Sequence, residues 1–143
     1  MSKRLIHLKE LSLKSKMAKY PNIPGSYIPP TKYEDKTANG LTKAIVDFID
    51  YSGGWATRIS VEGRYIEKLG TRIPSSVKIG TADIHACYKG IHLSIEVKIG
   101  SDRQSEAQKE IERDIKAAGG QYFIAKDFDS FHEWFSKLEC VCL

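Results

Sequence analysis

No stretch of eighteen apolar residues occurs in the chain, and the N-terminus lacks the apolar core of a signal peptide. A transmembrane helix and export are therefore not expected, and the cytoplasm is the expected location. Cysteine is scarce: three in 143 residues, an odd number without an export signal, which argues against a disulfide framework. Cys140 and Cys142, with His132 upstream, offer too few ligands for a zinc site, and Cys87 is expected to pack as a small hydrophobe in a strand. A Gly-rich phosphate loop ending in Lys-Ser/Thr is also missing, so nothing points to ATP use. Proline is nearly confined to one place, with Pro21, Pro24, Pro29 and Pro30 making four of five. That stretch reads as an extended linker or strap. What remains, 41 % hydrophobic and 28 % charged, is the composition of one globular domain long enough to bury a real core.

Charge is unevenly spread. Residues 1–36 hold eight Lys/Arg and three Asp/Glu, a net of +5, whereas residues 37–143 sum to −1. The chain thus divides into a basic N-terminal arm with its Pro-rich linker, 1–36, and a main domain, 37–143. Two readings of the arm stand side by side. Lys3, Arg4, Lys9, Lys14, Lys16 and Lys19 could contact phosphates in a salt-dependent way. Alternatively Leu5, Leu8 and Leu11, with Ile6 and Leu13, form the apolar side of a helix that packs on the domain or on a second subunit.

Within the domain, Thr37 or Asn39 is a suitable cap for a helix whose apolar residues Leu41, Ala44, Ile45, Phe48 and Ile49 recur at helical spacing. Ser52-Gly53-Gly54 ends it. Trp55 to Val61 is expected as a first strand carrying Arg58. Between Glu62 and Ile79 no period survives, and a mildly basic loop with Arg64, Lys68, Arg72 and Lys78 is expected there, ordered only on DNA. Thr81–Tyr88 and Ile91–Ile99 form a hairpin about Lys89-Gly90. A second helix opens at Ser101, Asp102 or Ser105 and closes at Gly119-Gly120. Gln121–Ala125 and Ser130–Leu138 supply a last strand and a last helix, the latter with the aromatic stripe Phe131, Trp134 and Phe135.

The chemistry lies in the hairpin. Asp83 is followed thirteen residues later by Glu96-Val97-Lys98, and strand alternation puts Glu96 and Lys98 on one face. A short turn sets Asp83 roughly across from Glu96, where two carboxylates repel unless a cation lies between them. Mg²⁺ or Mn²⁺ suits such a site, taking one or two carboxylates and completing its shell with water and phosphate oxygens. Lys98 would add a second positive charge beside an attacked phosphate. The plainer alternative is a surface ion pair of Glu96 with Lys98, worth about 0–1 kcal/mol. Gln108 lies about 100° of helical rotation off the buried stripe Ala107, Ile111, Ile115 and Ala118. From there it can point to the sheet end that carries Lys98, or it is a solvated side chain on a charged helix.

Gly80-Thr81-Ala82-Asp83-Ile84, then Ile95-Glu96-Val97-Lys98, then Arg103 through Gln108 resemble the PD-(D/E)XK nuclease superfamily, most closely its virus-type replication-repair nuclease branch. The likeness runs from about Thr37 to Ala125. It implies a restriction-endonuclease-like αβββαβ core, an α/β fold with a central mixed sheet flanked by helices, here with the arm before it and a helix after. It implies a metal-dependent DNA endonuclease in which Asp83 and Glu96 hold Mg²⁺ or Mn²⁺ and Asp83, Glu96, Lys98 and Gln108 are catalytic. Arg58, Arg64 and Arg103 are the expected DNA-binding side chains. Members of this branch often carry a further acid on the first helix, for which Asp47 is a loose candidate. Small members resemble Holliday-junction resolvases, which implies branched or structured DNA as substrate, a homodimer, and a role in replication, repair or recombination in a bacterial cell or phage-infected host. The alternatives are a non-cleaving nucleic-acid-binding module on the same fold and an RNA-processing or small-molecule enzyme.

Overall fold

The computed structural model describes residues 2–60 and 64–141, with side chains for all of these except 64 and 139–141. Val61, Glu62, Gly63, Cys142 and the side chains of Arg64 and Cys140 thus lie outside the described residues. The arm begins as a helix, α1 (Lys3–Lys19), capped by Ser2, whose hydroxyl accepts from the Leu5 N–H. Leu5 and Leu8 are buried in the same core as the domain's own apolar residues. The proline strap folds back along α1, with the Lys16 ammonium donating to the Pro29 carbonyl at 2.8 Å and Ser12 bonded to Thr31 at 2.6 Å. Of the two readings of the arm, its leucine side packs on the domain.

Thr37 caps α2 (Ala38–Tyr51) by accepting from the Gly40 N–H, and Leu41, Ala44, Ile45, Phe48 and Ile49 are all buried. The sheet follows, with β1 (Trp55–Arg58), β4 (Ile84–Tyr88), β5 (Ile91–Val97) and β6 (Gln121–Ala125) in the order β1-β4-β5-β6. β1, β4 and β5 are antiparallel neighbours, whereas β5 and β6 are parallel and need a crossover. That crossover is α3 (Glu106–Ala117), and α4 (Phe128–Val141) ends the described chain. The result is a mixed α/β fold with one parallel strand pair.

Three elements differ from expectation. The first strand stops at Arg58. The stretch read as an irregular loop contains a second, separate hairpin, β2 (Arg64–Ile66) and β3 (Thr71–Ile73), joined by a 3₁₀ turn at Glu67–Leu69. Strands of three residues are too short to display a period, which is why alternation missed them. The last helix starts at Phe128, two residues before the expected Ser130.

At Lys89-Gly90 both residues take positive φ, 48° and 79°. This is the turn geometry whose twist matches a two-residue hairpin, and it fixes the β4–β5 register. Alternation then sorts the sheet. Ile84, Ala86, Tyr88, Leu93, Ile95, Val97 and Ala125 join α1, α2 and α4 in the core, where Phe48 meets Phe128, Phe131 and Phe135 edge-on at 5.6, 6.1 and 5.6 Å. The opposite face carries Thr57, Asp83, His85, Cys87, His92, Ser94, Glu96 and Tyr122, and α3 covers its β6 side.

Candidate functional site

Ile84 pairs with Ile95, and one step further this register sets Asp83 across from Glu96. Asp83 is held at the mouth of the hairpin from two sides. Its Oδ2 accepts from the Val97 N–H at 2.9 Å, and its backbone carbonyl accepts from the Ile59 N–H at 2.7 Å. Lys98 follows β5 directly, its N–H donating to the Ala125 carbonyl at 2.9 Å, so the parallel strand fixes where the lysine leaves the sheet.

Glu96 is only 2 % exposed. Two donors reach the same oxygen: Lys98 Nζ lies 3.1 Å from Oε1, and Gln108 Nε2 donates to Oε1 as well. The other oxygen, Oε2, is buried without a hydrogen-bond partner. Such an orphan acceptor costs roughly 1–3 kcal/mol, more when charged. Burial accordingly pushes the Glu96 carboxyl above the usual carboxylate range, with the charge of Asp83 adding to it; Lys98 and the nearby Asp83 N–H act the other way.

Gln108 reaches the site because of how α3 starts. Ser105 caps the helix, its Oγ accepting from the Gln108 N–H at 3.2 Å, while Gln108 Oε1 accepts from the Ser105 N–H at 2.9 Å. This is a reciprocal capping box. One amide group thus ties the helix start with its oxygen and holds Glu96 with its nitrogen. The segment before Asp83 lies against the same turn. Gly80 has φ +88°, and a Cβ there would stand 2.5 Å from the Ala107 carbonyl carbon and oxygen and 2.9 Å from the Gln108 nitrogen, so only glycine fits.

Asp83, Glu96, Lys98 and Gln108 are therefore brought together, and the other candidates are not. Arg58 pairs with Ile84, which directs it to the α2 side of the edge strand, away from Glu96. Arg103 is exposed, two residues ahead of the α3 cap. The side chain of Arg64 lies outside the described residues. Asp47 sits on α2, across the sheet, bonded to the Tyr33 hydroxyl at 2.7 Å and paired with Lys43.

Sequence reasoning missed Tyr122 and gave Gln104 and Gly80 no role of their own. Tyr122 neighbours Ser94 on β6, and its buried hydroxyl is pushed up to about 12 by burial; Gln104 opposes this, and the charges of Glu96, Glu112 and Asp83 add to it. Alternation along β6 places Tyr122 on one face, but only the parallel register reveals that this is the face of Glu96. His85 and His92 lie on the same face with rings 5.1 Å apart, and burial, then His92, holds His85 below its ordinary value.

Asp83 and Glu96 are the residues that could hold a cation, and an all-oxygen pair with one buried orphan oxygen fits a hard divalent ion. Among the described residues no group of three or more His, Cys, Asp or Glu is placed to hold a metal. An ion here would thus take most of its ligands from water and phosphate. No protein-family model matches the chain, and no match is found among curated proteins.

Proposed function

We propose that the chain is a Mg²⁺- or Mn²⁺-dependent endonuclease that hydrolyses phosphodiester bonds in DNA, of the PD-(D/E)XK type and the virus-type replication-repair branch. The observation that carries the reading is the Glu96 carboxylate: buried, opposed by Asp83, with the Lys98 and Gln108 side-chain donors on one oxygen and no hydrogen bond to the other. A purely structural ion pair is expected to satisfy both oxygens of a buried carboxylate.

A divalent ion between Asp83 and Glu96 would neutralise charge on the attacked phosphate and lower the pKa of a water. The remaining steps belong to the chain. The Val97 N–H orients the Asp83 carboxylate, and Gln108 pins Oε1 of Glu96 so that Oε2 keeps one direction. Lys98, 14 % exposed at its side chain and 3.1 Å from Glu96, lends an ammonium to a phosphate oxygen as negative charge grows on it. Water, not a side chain, is the attacking nucleophile. Branched DNA as substrate and a two-fold dimer follow from the resemblance, since paired cuts across a junction suit a symmetric pair.

Incubating the protein with linear, flap and four-way-junction DNA, in Mg²⁺, Mn²⁺ or chelator, tests the reading. Cleavage is expected only with metal and is lost in Asp83→Ala and Glu96→Ala. No cleavage of any substrate, or equal cleavage by those variants, refutes it. Light scattering decides the dimer.

A further inference from the structure

The β2–β3 hairpin is built unlike the rest of the fold. Among the described residues its strands pair only with each other and none of its side chains joins the core, and a lone two-stranded hairpin is marginal in water. Yet it exposes apolar side chains: Tyr65, Leu69 and Ile73, with Ile79 just beyond, are 59, 67, 49 and 85 % exposed. Leu69 lies at the tip, in the 3₁₀ turn that Gly70 closes in the left-handed conformation. Charge along it is positive, Lys68, Arg72 and Lys78 against Glu67.

Its roots stand on the candidate site. The chain departs past Ile59, whose N–H is held by the Asp83 carbonyl at 2.7 Å, and returns at Gly80, whose backbone lies against Ala107 and Gln108. The described residues on both sides of the hairpin segment, Ile59 and Gly80, thus border the Asp83–Glu96 site. A three-residue ribbon is about 10 Å long, and a two-stranded ribbon is one of the elements a DNA major groove, about 12 Å wide, admits.

We propose that this ribbon is a DNA-reading arm: it enters the duplex beside the scissile phosphate, its lysines and arginine on the flanking phosphates, with Leu69 wedged against an unstacked base at a branch point. Apolar wedges of this kind are used where a duplex is already distorted, because opening such a step costs least there. The proposal rests on the nuclease reading and specifies its substrate as DNA with a branch or distortion next to the cut.

The test is binding in chelator, where nothing is cut, using the full chain and a flap DNA with 2-aminopurine at the branch beside a linear duplex of the same sequence. Wild type is expected to raise the 2-aminopurine fluorescence on the flap and to bind it more tightly. Leu69→Ser should abolish the rise and weaken flap binding at least tenfold more than duplex binding. Lys68→Ala should weaken both and reduce the slope of log affinity against log salt by about one. Both variants should melt within about 2 °C of wild type, since exposed substitutions change stability little. No fluorescence rise in wild type, or Leu69→Ser behaving as wild type, overturns the proposal. So does a dimer that Leu69→Ser splits with DNA binding intact, for the ribbon is then a subunit contact. Protein that binds and unstacks but never cuts with Mg²⁺ removes the nuclease reading alone, and protein that cuts without unstacking removes the arm alone.

Discussion

Replacing Gly80 by alanine probes whether the site depends on the close approach of two backbones. The new methyl meets two costs. At φ +88° an L-residue loses about 1–2 kcal/mol to left-handed sterics, and packing against atoms that cannot rotate away adds about 1–3 kcal/mol. A Cβ 2.5 Å from the Ala107 carbonyl must gain nearly an ångström to reach ordinary contact at 3.4 Å. Either residues 80–83 or the first turn of α3 must withdraw by that much, and each carries one side of the site. For a chain of this size the sum of about 2–5 kcal/mol lowers Tm by roughly 6–20 °C. A displacement near 1 Å costs on the order of 10²-fold in rate. Gly90→Ala is the control, since Gly90 also has positive φ, +79°, but its Cβ would meet nothing within 4 Å; it should lose only the conformational part and keep full cleavage. Thermal melts and cleavage rates of the two variants, side by side, decide the matter. If Gly80→Ala melts and cuts like Gly90→Ala, the packing of Gly80 on α3 does not position the site.

Cleavage should rise with pH through a pKa above the ordinary glutamate value, because burial and Asp83 raise the Glu96 carboxyl and a cation needs it ionised. Lys98→Met removes a group that lowers it, so the rising limb should move to higher pH while the plateau falls about 10²–10³-fold; an unmoved limb would show that Lys98 does not act on Glu96. The sign for stability is the reverse of a paired carboxylate: with its folded pKa raised, Glu96 disfavours the fold as pH climbs above the ordinary value, and Mg²⁺ should restore what is lost. At ten times its Kd, Mg²⁺ should stabilise wild type by about 1.4 kcal/mol, or roughly 4 °C, and Asp83→Ala not at all. Gln108→Glu keeps the acceptor of the capping box but replaces the donor to Glu96 with a third carboxylate; the metal-free protein should melt lower, with a larger Mg²⁺-induced rise than wild type. Leu8→Ala should cost about 2–5 kcal/mol, since Leu8 is fully buried, and a neutral result in a chemical denaturation series would place α1 outside the core.

Where the sequence was readable, it was through period and capping. The α2 stripe from Leu41 to Ile49, the turn at Lys89-Gly90 and the β4–β5 register are local properties, and the opposition of Asp83 to Glu96 follows from them. Gln108 was half legible: its rotation off the α3 stripe gave a border position, but its place at the third helical residue depended on which serine or aspartate caps the helix. The distant pairings were not legible. Arg58 seemed to belong near the site because strand length alone does not say which face an edge residue takes. Tyr122 came to Glu96 through a parallel pairing that leaves no trace in its own strand, and the β2–β3 hairpin is too short to carry a pattern.

Gln108 has one amide and two employers, and its removal would disturb both. Unwinding the first turn of α3 would withdraw the donor from Glu96, so a helix end that frays becomes a measure of whether the site is assembled. Amide exchange at Ser105 and Gln108 should therefore slow when Glu96 is engaged and quicken when it is not, letting a proton leaving a backbone nitrogen report on an ion that never touches it.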